Sequence, residues 1–361
     1  MFGQIIIIFL TAFFLSFLIT PMTIQVYKNL GWLDDPKKQK HPKVIHRYPV
    51  PRGGGIPIFL SLLITSLFFL PIDKHLIGIL LGGVVLFIIG ILDDRYNLNP
   101  YIRLLAGFFA AILVVGSGIG IPFITNPLGG VIQLSQPQIP FFLFGKLHTI
   151  WILADIFALF WIVSCMNFVN WSKGLDGQLP GVAVIAALTI AILSLHFSAD
   201  ITQWPVISLA IILAGSYLAL LLFNFYPQKI MLGYGGGSLA GYLLAVLSIL
   251  STTKVGTAIM VLGIPLIDAG FVLISRLAAG KSPVWGDTRH LHHKLLSLGW
   301  SKPRIALFYW TITALLGFLA LYLNSQQKLF TILLLTVSLG IFLLWFKFFA
   351  SSLKPLDPDN G

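Results

Sequence analysis

Five polar segments carry the residues of this sequence whose types and spacing could do chemistry. They cover residues 34–55, 93–100, 167–181, 224–238 and 280–304. The third, NFVNWSKGLDGQLPG, places amide, hydroxyl, amino and carboxylate side chains among glycines that let a backbone approach a ligand closely. Asn170 and Asp176 are its candidate ligand-binding residues, and the structural alternative is an N-cap and turn that lead into a following helix. We predict that the five segments converge on one site, with residues 167–181 as its floor.

The second segment contains two adjacent carboxylates, Asp93 and Asp94, at the end of an apolar run. Two such groups at a membrane boundary are costly unless they are paired or bind a metal ion. Carboxylate oxygens suit Mg²⁺, which proteins commonly share with substrate phosphates. The alternative is a structural pair at a helix end that Arg95 or Arg103 neutralises.

The last segment contains a cluster of polar and titratable side chains: Asp287, Arg289, His290, His292 and His293. Three His could bind zinc, but two of them are adjacent and neither Cys nor Glu lies nearby. Phosphate binding, or proton transfer by His near neutral pH, suits this cluster better.

Two further segments allow both a functional and a structural interpretation. Residues 34–55 are strongly basic and end in Gly53–Gly55, which predicts either contacts to anionic lipid headgroups or a site for an anionic substrate. Residues 224–238 predict a glycine-rich turn before a helix that starts at Ser238. Such a turn could cradle a phosphate, or it could serve only close helix packing.

Two Asp residues lie inside apolar runs, where ionisable groups usually have a defined partner. Asp155 is near the end of its run that is remote from the polar segments, so we predict a structural or solvated role. Asp268 lies in mid-run, two helical turns before Arg276, and we predict that it forms a structural pair.

The elements that must position these residues are membrane-spanning. Of the 361 residues, 57% are hydrophobic and 10% are charged, with a mean hydropathy of +0.93, whereas a soluble domain carries roughly 25% charged residues. The net charge of +11 would otherwise suggest nucleic acid, but in a membrane protein Lys and Arg mark the cytoplasmic loops. The only Cys, Cys165, lies in an apolar run, so we expect neither a disulfide within the chain nor a reactive thiol.

Continuous apolar runs predict an all-α integral membrane protein, because membrane β-barrels alternate apolar and polar residues. We count about eleven transmembrane helices in one domain, residues 1–361, and the first run lacks the features of a cleaved signal peptide. The predicted spans are 4–26, 54–71, 76–92, 102–121, 148–169, 180–198, 205–223, 238–252, 255–275, 304–323 and 329–350. Residues 121–146, rich in Pro and Gly, predict an amphipathic or re-entrant loop.

All but four of the 23 Lys and Arg fall on one side of this arrangement. The four exceptions are Lys74, Lys146, Lys254 and Lys328. Because basic residues accumulate in cytoplasmic loops, the N-terminus is predicted outside and the C-terminus inside the plasma membrane. All five polar segments then face the cytoplasm.

In their order and spacing, these segments resemble the polyprenyl-phosphate N-acetylhexosamine-1-phosphate transferase family, which is glycosyltransferase family 4. The resemblance covers about residues 35–301. Its motifs, in chain order, are Asp35-Pro36, His46, Pro51-Arg52-Gly53-Gly54, Asp93-Asp94, Asn167-x-x-Asn170, Gly174-Leu175-Asp176-Gly177, Asn224-Phe225-x-Pro227, the glycine-rich turn, Asp268, Arg276 and Asp287-x-x-His290-Leu291-His292-His293. The His-x-His-His form and the eleven spans resemble the N-acetylglucosamine branch more than the phospho-N-acetylmuramoyl-pentapeptide transferase branch.

The resemblance implies a reaction at the cytoplasmic face. A UDP-activated N-acetylhexosamine gives its sugar 1-phosphate to polyprenyl (undecaprenyl) phosphate and releases UMP, as the first membrane step of cell-envelope glycan synthesis. The resemblance also implies Mg²⁺ dependence, with Asp93, Asp94 and Asp176 as catalytic and metal-binding residues. The implied substrate-binding residues are His46, Asn167, Asn170, Lys173, Asn224, Tyr234, Asp287, Arg289, His290, His292 and His293. A homodimer is implied by family analogy, and no nucleic-acid partner is expected.

Two positions depart from the family pattern. Lys173 stands where the family usually has the first Asp of Asp-Gly-x-Asp-Gly, and Tyr234 stands where it usually has a second metal-binding Asp. Three outcomes follow for Mg²⁺. The remaining carboxylates hold it, or Lys173 replaces part of its charge at the diphosphate, or the chain is a catalytically silent relative that binds lipid phosphate or nucleotide.

Functions of other classes are a multi-span transporter or flippase and a scaffold subunit. Transporters usually place polar groups near the bilayer midplane. Here nearly all the polarity is on one face, and a scaffold would leave the polar segments without a role.

Overall fold

The computed structural model describes residues 2–37, 48–126, 129–143, 145–197, 199–200, 202–251, 254–282, 284–285 and 289–348. The helices within these residues are α1 (Phe2–Asn29), α2 (Gly55–Phe69), α3 (Lys74–Tyr96), α4 (Pro100–Gly116), α5 (Ile152–Trp171), α6 (Gln178–Leu195), α7 (Gln203–Asn224), α8 (Gly233–Leu250), α9 (Lys254–Val261), α10 (Gly263–Ala278), α11 (Leu291–Ser297), α12 (Lys302–Tyr322) and α13 (Ser325–Phe348). The strands are β1 (Leu33–Asp34), β2 (Val50–Pro51), β3 (Phe123–Thr125), β4 (Val131–Gln133), β5 (Gln138–Leu143) and β6 (Lys146–Trp151).

The helices agree with the predicted membrane protein. Eight of them in the described chain are long and apolar enough to cross a membrane: α1, α3, α5, α6, α7, α8, α12 and α13. Helices α9 and α10 form a ninth candidate span that is bent by 84°. Helices α2 and α4 are apolar but shorter, with 15 and 17 residues. Each of the eleven predicted runs therefore has a helical counterpart, and the run at 255–275 is broken where the prediction had one straight helix.

Helix α8 lies at the centre of the bundle. Its residues Gly233–Ser248 are all buried, and it packs against α2, α3, α5, α6, α7 and α9. A helix that faces protein on all sides needs few large apolar side chains, and small residues let neighbouring backbones approach it. This location explains why the most central helix begins with the sequence GYGGGSLAGY.

The prediction that the glycine-rich segment is a turn before Ser238 is wrong, because α8 already starts at Gly233. The glycines permit very close crossings by other helices. A Cβ added at Gly90 of α3 would lie 2.7 Å from the Gly235 Cα, and one added at Gly55 of α2 would lie 2.8 Å from the Gly236 nitrogen. Glycine inside a helix costs about 1 kcal/mol relative to alanine, and here close packing offsets that cost. The structural interpretation of this segment, close helix packing, is therefore confirmed.

Two antiparallel strand pairs lie between Phe123 and Trp151, so the prediction of an amphipathic or re-entrant loop over residues 121–146 is wrong. Strand β3 pairs with β4, and β5 pairs with β6 from Gln138 opposite Trp151 to Leu143 opposite Lys146. This pairing also moves the start of the fifth apolar helix from residue 148 to Ile152. The all-α class therefore describes the apolar helices but omits these hairpins and the short β1–β2 pair. Asp155 accepts a hydrogen bond from the Trp151 N–H at 3.0 Å, which confirms its structural role.

Candidate active site

Asp93, at the last turn of α3, is held between two arginines. Its side chain is fully buried, and its oxygens lie 3.5 Å from an Arg52 nitrogen and 3.3 Å from an Arg103 nitrogen. Arg103 comes from the first turn of α4 and Arg52 from the segment just before α2. A carboxylate in this position is compensated in charge, as a buried ion must be. The structural alternative for Asp93 is thus observed, with Arg52 and Arg103 as the partners and not Arg95.

Asp94 has a different environment from its neighbour. Its Oδ2 accepts a hydrogen bond from the Tyr27 hydroxyl at 3.0 Å, whereas Oδ1 accepts none from the described residues. A Cβ added at Gly233 would lie 2.6 Å from this Oδ1. Gly233 has φ +64°, a conformation that other residues rarely adopt. Asp94 therefore presents a buried acceptor oxygen at the start of α8.

Lys173 reaches the same point from the loop between α5 and α6, residues 172–177. Its side chain is half-buried, and Nζ donates a 2.6 Å hydrogen bond to the Gly233 carbonyl. A Cβ added at Gly237, one helical turn further along α8, would collide with both the Lys173 side chain and the Asn170 Oδ1. Within the described chain this buried Asn170 oxygen accepts no hydrogen bond. Gly233 and Gly237 thus make room for an amino group and an amide oxygen beside Asp94.

Asp176 lies at the other end of the 172–177 loop and faces a second polar cluster. One oxygen accepts a 3.3 Å hydrogen bond from the Gln228 N–H, and the other lies 3.3 Å from the Lys302 Nζ. The next residue, Gly177, donates its N–H to the Asn224 Oδ1 at 3.0 Å. The Asn224 amide in turn donates to the Ile230 carbonyl at 2.7 Å. The loop between α7 and α8 is therefore tied to the start of α6.

The His cluster packs against the same loop. The Asp268 carboxylate is 2.9 Å from the His290 Nδ1 and accepts the Leu291 N–H at 2.8 Å, which confirms structural pairing for Asp268 with a partner other than Arg276. The His290 and His292 rings are stacked at 5.6 Å. A Cβ added at Gly174 would collide with the buried His292 ring. Loop 172–177 thus lies beside the Asp93–Asp94 pair with its basic partners, the Asp176 cluster and the His cluster.

The predicted convergence of the five polar segments is confirmed by these contacts. Residues from all five meet around loop 172–177 at one end of the bundle, where α3, α5 and α7 end and α6 and α8 begin. Such a constellation, with buried carboxylates, basic side chains and imidazole rings at one helix-bundle end, suits the binding of phosphate-containing substrates.

Comparison with known proteins matches about half of this chain to a known family. The family model described as "Glycosyl transferase family 4" matches residues 76–252. Residues 76–252 belong to glycosyl transferase family 4. This region contains Asp93, Asp94, loop 172–177 and the start of α8, and its match confirms the resemblance.

Similar full-length proteins point to one branch of family 4. The chain is 28% identical over 349 residues to a probable undecaprenyl-phosphate N-acetylglucosaminyl 1-phosphate transferase of Bacillus subtilis, covering 94% of this chain and 91% of the relative. It is 26% identical over 351 residues to the decaprenyl-phosphate N-acetylglucosaminephosphotransferase of Mycobacterium tuberculosis, covering 87% and 81%. A phospho-N-acetylmuramoyl-pentapeptide-transferase of Caldanaerobacter subterraneus matches at 28% over 291 residues, covering 75% and 83%. The predicted greater similarity to the N-acetylglucosamine branch is confirmed.

The remaining site residues predicted from the family 4 motifs are not all brought together. Asn167 donates its amide to the Val163 carbonyl of its own helix at 2.8 Å. Arg289, half-buried, directly precedes His290, and the His293 ring lies 4.3 Å from the His292 ring. Two further predicted residues, His46 and Asp287, lie outside the described residues.

Tyr234, which stands where the motif resemblance leads one to expect an Asp, makes contacts of a different kind. It is buried, its hydroxyl donates to the Arg103 carbonyl at 3.0 Å, and its ring lies 5.5 Å from the Arg103 guanidinium. Tyr27, Gln228 and Lys302 were missed by the sequence analysis. Both Tyr27 and Lys302 lie at the ends of predicted spans, which was a weak sign of a role in the site. Lys302 was used only as an indicator of membrane topology.

The ligand set predicted for Mg²⁺ does not fit the geometry. No three His, Cys, Asp or Glu side chains lie close enough to hold a metal ion in the part of the chain that the structure describes. Asp93 faces two guanidinium groups and Asp176 pairs with Lys302, whereas Asp94 Oδ1 accepts no hydrogen bond from the described residues. Asp93, Asp94 and Asp176 therefore do not form one divalent-cation site, and the Mg²⁺ requirement of the reaction stays a prediction.

Burial shifts the protonation of two groups in this family 4 site. It lowers the pKa of Lys173 to about 7, with Asp93 pulling in the opposite direction and Arg52 lowering it further. It also lowers the pKa of His292 well below its usual range, and His293 and His290 add to the effect. His292 is therefore neutral at physiological pH, whereas Lys173 is poised between its two charge states.

Proposed function

We propose that this protein transfers N-acetylhexosamine 1-phosphate from a UDP-linked donor to a polyprenyl phosphate such as undecaprenyl phosphate, and releases UMP. Three groups of residues meet on the short loop 172–177, and this observation carries the proposal. They are the Asp93–Asp94 pair with its basic partners, the Asp176 cluster and the His cluster. The relatives named as polyprenyl-phosphate N-acetylglucosamine phosphate transferases, which match most of the chain, support the substrate class.

The reaction is a phosphoryl transfer. An oxygen of the acceptor phosphate attacks the sugar-linked phosphorus of the donor, and the bond from that phosphorus to the bridging oxygen of UMP breaks. The products are a polyprenyl diphosphate sugar and UMP. Because such a reaction depends on positioning and charge neutralisation, the fixed cations at this site supply what it chiefly needs.

Asp94 is the residue we assign to the acceptor phosphate. Its Oδ1 accepts no hydrogen bond within the described residues, so it can orient that phosphate or take its remaining proton. Asp93 has a positioning role, because it holds Arg52 and Arg103 beside its neighbour. Removal of the proton makes the phosphate a better nucleophile and leaves the charge for the arginines and Lys173 to balance.

The Asp176 cluster is assigned to the nucleotide part of the donor. Asp176, Asn224 and Gln228 combine a carboxylate with amide groups, which suit the hydrogen-bonding edges of a uracil and a ribose. The His cluster is assigned to phosphate contacts, with His290 oriented by Asp268 and His292 neutral. Loop 172–177 then spans from the nucleotide to the diphosphate.

The proposed setting is the plasma membrane, with eleven spans, the N-terminus outside and this site in the cytoplasm. The distribution of Lys and Arg supports this orientation, and a cytosolic nucleotide sugar then meets a lipid of the inner leaflet. A homodimer stays a prediction, to be checked by crosslinking in native membranes.

The test is a transfer assay with purified protein in detergent. Radiolabelled UDP-N-acetylglucosamine and undecaprenyl phosphate should give a lipid-extractable product together with UMP, and Asp94→Asn should lower the rate of formation of both by about 100-fold. UDP-N-acetylgalactosamine and other UDP-N-acetylhexosamines are then compared as donors. Absence of product with all of them, at every Mg²⁺ concentration, would contradict the proposal.

The second candidate is a catalytically silent relative, which Lys173 and Tyr234 favour because each replaces a carboxylate expected from the motif. It predicts that UMP or undecaprenyl phosphate binds to the protein without any turnover. Binding measured on the protein used in the transfer assay separates the two candidates.

A further inference from the structure

We propose that Lys173, Arg52 and Arg103 form a built-in cationic site that binds the diphosphate of the donor without a divalent cation. The inference deepens the proposed function and rests on it for the identity of the ligand. It concerns this chain's own residues at the place where the motif resemblance leads one to expect a metal.

The position of the Lys173 amino group is fixed by the fold. Nζ donates to the Gly233 carbonyl, and the aliphatic part of the side chain passes over Gly237, where a Cβ would lie 2.9 Å from the Lys173 Cδ. A surface lysine samples many rotamers, whereas this one is confined between its loop and α8. Its charge is therefore placed in advance for a ligand, which reduces the entropy lost on binding.

The charges around Lys173 favour an anion over a cation. Arg52 and Arg103 both face Asp93, and Asp94 is close enough to interact electrostatically with Lys173. Three basic side chains thus stand against two carboxylates, so a divalent ion would bind against an excess of positive charge. A diphosphate would compensate this excess in a half-buried place, where charge–charge interactions are stronger than in bulk water.

Tyr234 supports the same arrangement. Its hydroxyl is bonded to the Arg103 carbonyl and its ring faces the Arg103 guanidinium, so it holds the arginine and provides no carboxylate for a metal. The two departures from the motif therefore act together. Lys173 brings a positive charge to the site, and Tyr234 fixes a second one.

The buried Asn170 amide also points into this place. Its Oδ1 lies beside Gly237 and the Lys173 side chain, and it accepts no hydrogen bond from the residues that the structure describes. A buried acceptor in that state needs a donor from a ligand or from water. A sugar hydroxyl of a donor held by its diphosphate at Lys173 would provide one.

The test measures donor binding, with UDP-N-acetylglucosamine as the probe and no lipid acceptor present. Wild-type protein is treated with EDTA, and isothermal titration calorimetry is done with EDTA and again with MgCl₂. We expect the two dissociation constants to agree within about twofold, because the charge is supplied by the protein. Lys173→Arg should behave in the same way.

Two variants make the test specific. Lys173→Met should weaken binding by about tenfold or more under both conditions, because a charged hydrogen bond is lost and no metal ligand is gained. Lys173→Asp combined with Tyr234→Asp should bind weakly in EDTA and regain binding with Mg²⁺. Size-exclusion profiles and melting temperatures identify any variant that has lost its fold. If Lys173→Met is such a variant, donor binding with EDTA and with MgCl₂ is compared between wild type and Lys173→Arg.

The outcomes separate this inference from the proposed function. Wild-type binding that strengthens about tenfold or more with Mg²⁺, or Lys173→Met binding as tightly as wild type, would overturn the inference. Mg²⁺-dependent binding with successful sugar phosphate transfer would leave the function intact. Metal-independent donor binding without transfer would support this inference and contradict the proposed function. No binding of any UDP-N-acetylhexosamine would overturn both.

Discussion

Asp93 and Asp94 are adjacent in sequence but have different surroundings, and this difference assigns them different roles. Asp93 is fully buried between two guanidinium groups, whereas Asp94 receives only the Tyr27 hydroxyl from the described residues. A helix places neighbouring side chains about 100° apart, so adjacent residues point at different partners. Asp93 is consequently a structural anchor, and Asp94 is the acceptor available to a ligand.

Replacing each carboxylate by its amide should separate these roles. Asp94→Asn is expected to lower the transfer rate by about 100-fold, the usual contribution of a general base, with little change in melting temperature. Asp93→Asn leaves two half-buried guanidinium groups without their buried counter-charge and should cost about 3 kcal/mol of stability. Initial rates and thermal unfolding in the same detergent check both expectations. A wild-type melting temperature for Asp93→Asn, or a wild-type rate for Asp94→Asn, would contradict this assignment.

The charge state of Lys173 predicts a pH dependence of donor binding. The pKa of Lys173 is lowered by burial to about 7, so the amino group is charged below that pH and loses its charge above it. The groups that face it are Asp93 and Asp94 from α3, Arg103 from α4 and Arg52 before α2. Affinity for UDP-N-acetylglucosamine should therefore fall as the pH rises through 7. Because a bound diphosphate stabilises the charged amino group and raises its pKa, the fall should continue above pH 7.

Lys173→Arg is the matched control for this pH dependence. Its guanidinium stays charged across the whole range, and the His cluster is unchanged, so affinity should be nearly constant. Calorimetric titrations at a series of pH values compare the two proteins. An identical pH profile for both would assign the effect to other groups.

At the scale of elements, the site depends on how closely α2 and α3 can approach α8. Glycines lie at each crossing, and the backbones contact one another there with no side chain between them. The start of α8 thereby brings Gly233 beside Asp94 and opposite Lys173. Helix packing and site geometry therefore depend on the same short glycine run.

Gly90→Ala tests this dependence. The added methyl group would lie 2.7 Å from the Gly235 Cα and 3.0 Å from its nitrogen, and backbone cannot rotate away as a side chain can. We expect a loss of about 2 kcal/mol in stability and a lower melting temperature. Gly270→Ala in α10, where a Cβ meets nothing within 4 Å, is the control and should keep or raise the melting temperature. Equal melting temperatures for the two variants would show that the crossing tolerates a side chain.

At the scale of the whole molecule, the site lies at one end of a helix bundle and the two hairpins of residues 123–151 connect helices at the other. Helix α3 runs from Lys74 to the site at Asp93, so its ends mark the two faces. A one-sided site suits a reaction between a water-soluble donor and a lipid of one leaflet. The same asymmetry argues against a transporter, which needs access to its site from both sides.

Orientation can be tested with cysteines placed at the two ends. The native Cys165 is fully buried, whereas Lys74 and Lys229 are exposed at opposite ends of the bundle. In intact cells, a membrane-impermeant maleimide should label Lys74→Cys and not Lys229→Cys, and both should react after permeabilisation. The reverse pattern would place the site outside the cell, and wild-type protein reports any reaction at Cys165.

The sequence alone determined which segments are helical in the membrane and which residues gather at one face. Hydropathy is a local property, and each apolar run of about 20 residues must satisfy its backbone hydrogen bonds internally, so the helices followed from composition. The asymmetry of Lys and Arg, together with the order of the polar segments, also predicted the convergence that the structure shows. Asp93, Asp94, Lys173 and Asp176 were all identified in this way.

Only the tertiary structure decided which partner each of these residues has. Tyr27 bonds to Asp94 across 67 positions of sequence, and Lys302 reaches Asp176 across 126. Such pairs depend on how helix ends meet, and no local pattern encodes that geometry. The same reason explains why the start of α8, before Ser238, was predicted to be a turn and why the hairpins were missed: their backbones are set by distant packing or by strand pairing. Lys173 was therefore only an anomaly in the sequence, and its contact with Gly233 beside Asp94 fixes the position of its amino group in the site.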